Sequence, residues 1–218
     1  MIGFELMQRI RSELDRWERP IRWMYLDSQG LVTVGCGTML PSAAAAKRVS
    51  FVHDTNFQVA TAAEIEAAWN SLHSGAATQK AAAPNKKFSA KHYEDKTDLR
   101  ITEASVQALR DGHINADYVE LKKIYLQFDS FPDDAKIALF DMIYNVGPGQ
   151  NKTRQHRASG LRNYAAMNAA INAGKWSLAA DRCTRHGIPP QRNRRTAELF
   201  RNCAPPQAKP AVSLRVVA

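Results

Sequence analysis

Glu18-Arg-Pro-Ile-Arg-Trp-Met-Tyr25-Leu-Asp27-Ser-Gln-Gly30-Leu-Val-Thr33-Val-Gly35-Cys-Gly37 marks a change of periodicity in the chain. Upstream of it, Phe4, Leu6, Met7, Ile10, Leu14 and Trp17 recur at helical spacing among charged residues, which predicts an amphipathic helix over 4–17. Pro20 ends that helix, because proline disfavours helical backbone at the residue before it. Residues 22–40 then read as strands. Trp23, Tyr25, Leu31, Val32, Thr33 and Val34 have strand propensity, and Asp27-Ser-Gln-Gly30 supplies the turn. Gly35 and Gly37 allow a bend or a close backbone approach. A carboxylate, Glu18, thus closes a helix. A second carboxylate, Asp27, follows nine positions later, and a hydroxyl, Thr33, six after that. Two carboxylates offered from different elements are what glycoside hydrolysis requires, one to protonate the leaving oxygen and one to activate water or attack the sugar.

Working outward, residues 41–100 are Ala- and Lys-rich, with a capped helix suggested at Ala60-Thr-Ala-Ala-Glu64-Ile-Glu-Ala-Ala-Trp69. The region reads as an insertion, more a surface elaboration than a part of the chemistry. From 101 on the pattern is helical. Thr102 is placed as an N-cap, and Val106, Leu109, Ile114, Tyr118, Leu121, Ile124 and Tyr125 continue the apolar stripe, with a break expected at Asp111-Gly112. Pro132-Asp-Asp opens the next helix, with its acids suited to a helix N-terminus. That helix, 135–146, is apolar nearly all round and so is expected to be the buried central one. Gly147-Pro-Gly149 ends it. A basic loop and helices near 160–172, 175–183 and 191–202 follow, and the Pro-rich segment from 204 on is expected to be a mobile tail. The fold class predicted is α+β, mostly helical: one domain over 1–203, with a small lobe of about 20–100 and a helical lobe of about 101–203 that also takes in helix 4–17.

The 218 residues are 44% hydrophobic and 23% charged, an ordinary globular composition. No apolar run is long enough to span a bilayer, so no stable membrane insertion is expected. Charges run through the first residues where a secretory signal needs an apolar core, so synthesis in the cytoplasm without a signal peptide is expected. The net charge of +9 steers toward polyanions such as nucleic acid, anionic membrane or anionic cell wall, and does not choose among them. Cys36, Cys183 and Cys203 form no Cys-x-x-Cys pair. They read as free thiols, with a Cys183–Cys203 bond left open. The six histidines are scattered with no His-Glu-x-x-His, which speaks against a zinc peptidase. No phosphate-binding glycine loop, dinucleotide fingerprint or nucleophile elbow is present.

At Glu18, Asp27, Thr33 and Gly35-Cys-Gly37 the chain resembles the phage-type, T4-like lysozyme family. That family carries Glu at the end of its first helix and Asp and Thr on a hairpin ending Thr-hydrophobic-Gly-x-Gly, at the same spacings. Three further segments are similar, in the family's order. They are the helix Ala138-Leu-Phe-Asp-Met-Ile-Tyr-Asn-Val-Gly147, the pair Ser159-Gly-Leu161 and Ile171-Asn172-Ala-Gly174-Lys-Trp176, and Gly187-Ile-Pro-Pro-Gln-Arg192-Asn-Arg194-Arg195-Thr-Ala-Glu198. Together they cover most of the chain outside 41–100 and the tail. Two positions depart from the pattern. Arg19 stands where the family has Gly, and Thr38 where it has His.

The resemblance implies a fold that is lysozyme-like in its division into these two lobes. It also implies a muramidase that cleaves the β-1,4 bond between N-acetylmuramic acid and N-acetylglucosamine in peptidoglycan, with no metal or cofactor and with inversion at the anomeric carbon. Glu18 would be the general acid, Asp27 would hold or deprotonate the attacking water, and Thr33 would hydrogen-bond that water. Asn145 and Tyr144 would line the substrate cleft, and Arg192 (or Arg194) would pair with Glu18. The negative end of a helix dipole disfavours an anion at Glu18, as a general acid requires, whereas the neighbouring Arg19 favours one. The expected partner is the glycan strand, met in the periplasm or at the cell wall by a monomer acting as a phage lysin or a secreted antibacterial effector. In the second case an immunity protein would fill the cleft. Two rival classes are a wall-binding module without catalysis, motivated by Arg19 and Thr38, and a nucleic-acid-binding protein, motivated by the charge and by Arg192-Asn-Arg-Arg195.

Overall fold

The computed structural model describes residues 2–27, 29–82, 88–149 and 160–205, with backbone alone for 77–82. Expectations for Ser28 in the hairpin turn, for the Lys-rich segment 83–87, for Ser159 and the basic loop before it, and for the tail from 206 on lie outside the described residues. The chain is mostly helical with a small antiparallel sheet. It divides into two compact units, residues 11–116 and residues up to 10 together with those from 117 on. Each boundary cuts a helix.

The first unit begins within helix α1 (Phe4–Asp15). Strands β1 (Ile21–Leu26), β2 (Val32–Gly35) and β3 (Thr38–Met39) follow and form an antiparallel sheet in that order. Tyr25 stands opposite Thr33, and Thr33 opposite Met39. The short helix α2 (Ala43–Ala46), β4 (Phe51–His53), the long helix α3 (Ala62–Ala82) and a 3-10 turn at Ala90–Lys96 lead to β5 (Leu99–Ile101). Strand β5 pairs antiparallel with β4, Phe51 opposite Ile101. Thr61 and Glu64 cap α3 reciprocally. The Thr61 amide donates to the Glu64 carboxylate at 2.7 Å and the Glu64 amide donates to the Thr61 hydroxyl at 3.3 Å.

Region 41–100 is not a surface elaboration. Its Phe51, Ile65, Trp69, Leu72, Tyr93 and Leu99 pack with Met24, Leu26, Val32 and Val34 of the hairpin into one core. The Trp69 indole donates to the Leu40 carbonyl at 2.9 Å, which satisfies its buried N–H. Fully burying a side chain such as Phe51 stabilises by about 1.5–3 kcal/mol, so the sheet that carries Asp27 and Thr33 rests on this region.

Helix α4 (Glu103–Ile124) is capped by Thr102, whose hydroxyl accepts the Ser105 amide at 3.1 Å. It runs unbroken through Asp111-Gly112, contrary to the expected break. Arg11 of α1 donates twice to Asp111, at 2.8 and 2.6 Å, and this bidentate pair holds the segment helical. A lone Gly inside a helix costs only about 1 kcal/mol relative to Ala. A Cβ at Gly112 would meet open space. Gly112→Ala is therefore expected to stabilise the protein by about 0.5–1 kcal/mol, read as a raised denaturation midpoint.

The second unit is built on α5 (Asp133–Val146), α6 (Ala165–Asn172), α7 (Trp176–Arg182) and α8 (Pro190–Asn202). Helix α5 is the buried one, closed from Ala135 through Ile143 save half-buried Lys136, and it packs against α8. Tyr125, Phe128, Phe131, Phe140 and Trp176 meet edge to face around it. Gly147 ends α5 at a φ of 71°. Gly160 then lies so close to Gly149 that a Cβ on Gly160 would collide with its backbone.

Asp117 of α4 is half-buried, and burial together with Glu120 one turn on raises its carboxyl to about 7. The folded state thus binds this proton more tightly than the unfolded chain. The stability it contributes is complete below about pH 4 and is lost as pH rises through 7. Asp117→Asn is expected to remove that fall and leave the variant more stable at pH 8 by about 2–3 kcal/mol, checked by urea denaturation at pH 4.5 and 8.

Candidate active site

Glu18 stands one turn past α1, where its amide donates to the Leu14 carbonyl at 2.9 Å. Arg19 is exposed and Pro20 turns the chain into β1. Leu14 is buried, and Asp15 meets the Arg110 guanidinium of α4 at 2.6 Å. With the Arg11–Asp111 pair, these contacts fix the end of α1 and hence the point from which Glu18 leaves it.

Asp27 directly follows β1. Its Oδ1 accepts the amides of Gln29 at 2.8 Å and Leu31 at 3.0 Å, and its carbonyl accepts Gly30 at 3.0 Å. It is an Asx-turn residue, which sets the direction of its carboxylate. Among the described residues Oδ2 takes no hydrogen bond. Thr33 is 2% exposed and donates its hydroxyl hydrogen to the Leu31 carbonyl at 3.0 Å, so what it offers a ligand is a lone pair.

The hairpin is held by the same stretch of α4. Gly35, at a φ of 64°, passes under Leu109, whose Cδ1 would lie 3.4 Å from a Cβ there. Arg110 reaches the Cys36 sulfur at 3.4 Å, and Thr38 meets the His113 Nε2 at 2.9 Å. Burial pushes the His113 proton affinity down, so the ring is neutral near pH 7. Residues 109–113 thus clamp both elements that carry carboxylates.

Tyr25 joins the two acids electrostatically. Burial first, then Asp27, Cys36 and Glu18, push its phenol above the usual tyrosine range. Glu18 and Asp27 therefore both lie within electrostatic reach of one hydroxyl, and Thr33 is its cross-strand neighbour. Tyr25 was legible in the sequence only as a strand residue.

Tyr144, Asn145 and Arg192 belong to the other unit. Tyr144 and Asn145 are half-buried at the end of α5. Arg192 is buried on α8, its Nε donating to Asp141 Oδ1 at 2.8 Å. Asp141 Oδ2 accepts Arg185 at 2.6 Å and lies 2.9 Å from the Thr196 hydroxyl. Arg185 also donates to the Asp141 carbonyl at 3.1 Å. This buried network went unread in the sequence, where a lone Asp in the apolar run Leu139-Phe-Asp-Met142 was its signal. A cleft of about 230 Å³ lined by Ile2, Leu6, Tyr118, Phe128 and Lys136 lies in this unit and holds none of the expected site residues.

The three cysteines are free thiols. Among the described residues no group of three or more His, Cys, Asp or Glu is arranged to hold a metal ion, and no helix is long and apolar enough to cross a membrane. Against known proteins, no family model matches the chain and no curated protein matches it.

Proposed function

We propose that the protein is a peptidoglycan hydrolase, a muramidase working with an acid–base carboxylate pair. The observation that supports this reading is that Glu18 and Asp27, on two elements clamped by one stretch of α4, both act electrostatically on the Tyr25 phenol. Glu18 protonates the glycosidic oxygen. Asp27, anchored through Oδ1, uses Oδ2 to take a proton from water, which attacks the anomeric carbon. A positively charged chain suits an anionic wall. Tyr144, Asn145 and Arg192 keep their substrate-binding roles on the resemblance alone. The setting is that of a phage lysin or a secreted effector, the latter with a cognate immunity protein.

The test is turbidity loss and reducing-sugar release on purified peptidoglycan, with wild type beside Asp27→Asn. The asparagine keeps an Oδ1 for the two turn amides and removes the base. The expected result is turnover in the wild type and a loss of about 100-fold or more in the variant, with an unchanged melting temperature. Wall binding without turnover by the wild type would replace the hydrolase reading with that of a binding module.

A further inference from the structure

The geometry points to Tyr25 as a catalytic residue of this site, its hydroxyl donating a hydrogen bond to the water that Asp27 deprotonates. The inference rests on the hydrolase reading and adds a group to it. A nucleophilic water has four valences to direct. One lone pair attacks the anomeric carbon, the two hydrogens go to acceptors, and the second lone pair can accept a hydrogen bond that orients the molecule.

The two residues assigned to the water, Asp27 and Thr33, supply acceptors only. Asp27 Oδ2 accepts the hydrogen that is transferred. The Thr33 hydroxyl has given its hydrogen to the Leu31 carbonyl, so it accepts the other. Neither residue donates, and the missing group is an O–H or N–H on the same face.

Tyr25 fits that need. It is the register partner of Thr33, and directly opposed residues of an antiparallel pair present their side chains on the same face. It precedes Asp27 by two positions. Its hydroxyl has no hydrogen-bond partner among the described residues, so its hydrogen is available to a ligand. Burial first, then Asp27, Cys36 and Glu18, raise the proton affinity of the phenol, so it remains a donor while Asp27 acts as base.

The step balances. The water oxygen bonds to the anomeric carbon as its proton passes to Asp27. The glycosidic C–O bond breaks, and its electron pair leaves on the oxygen that receives the proton of Glu18. Tyr25 keeps its own proton throughout.

Steady-state kinetics on a soluble peptidoglycan oligomer test the assignment. Tyr25→Phe retains the ring and its packing and is expected to lower kcat about 10- to 100-fold with KM within about twofold, because the lost contact is to water and not to sugar. In an Asp27→Asn background the same substitution is expected to cost less, since both residues act on one water. An unchanged kcat in Tyr25→Phe, a rise in KM alone, or full additivity with Asp27→Asn would overturn the assignment while leaving a Glu18-dependent hydrolase standing. A wild type that hydrolyses nothing would end the hydrolase reading and this inference together.

Discussion

Asp141→Ala is expected to destabilise the protein by about 3–5 kcal/mol, the largest stability effect of any single substitution considered. One carboxylate sits between two guanidiniums, Arg185 with a side chain 0% exposed and Arg192 nearly so. A lone buried ion pair carries little net stability, because desolvation of both charges offsets their attraction. Removal of the single anion is a different matter. It leaves two cations inside the protein without the carboxylate they share, and the Thr196 hydroxyl loses that carboxylate as well. Asp141→Asn retains an acceptor for Arg192 and should cost less. Chemical denaturation of the three proteins checks the order: wild type above Asn above Ala.

Glu18→Gln is expected to reduce peptidoglycan hydrolysis by about 10²- to 10⁴-fold, the range a positioned general acid supplies. The substitution is nearly isosteric and removes only the transferable proton. Glu18 is half-buried beyond the last turn of α1, so the fold and wall binding should survive, visible as an unaltered circular dichroism spectrum and unaltered cosedimentation with the wall. Loss of binding together with rate would instead mean that Glu18 acts on substrate in the ground state.

The legible parts of the fold were those with a strong local period. Helix α1, the hairpin and the buried α5 followed from the spacing of apolar residues and from their breakers, Pro20, Gly30 and Gly147. In region 41–100 only the capped start of α3 was legible. Strands β4 and β5 have three residues each, too few for alternation to register, and their pairing joins positions fifty residues apart. The alanines of α3 concealed the stripe of Ile65, Trp69 and Leu72. At Asp111-Gly112 the local signal was real, and a tertiary bond from Arg11 overrode it. The candidate site was half legible for a related reason. Residue type and spacing picked out Glu18, Asp27 and Thr33, but the directions of their hydrogen bonds depend on the turn. Only those directions reveal that Thr33 has no hydrogen to give, and only the strand register reveals that Tyr25 faces it.

The most direct test of the hydrolase reading is mass spectrometry of the fragments released from purified peptidoglycan in ¹⁸O-labelled water, wild type beside Glu18→Gln. Hydrolysis by an acid–base pair predicts muropeptides that end in reducing N-acetylmuramic acid and carry one solvent oxygen, from the wild type and not from the variant. Fragments ending in N-acetylglucosamine, anhydro ends without label, free stem peptides, or equal release by Glu18→Gln would contradict it.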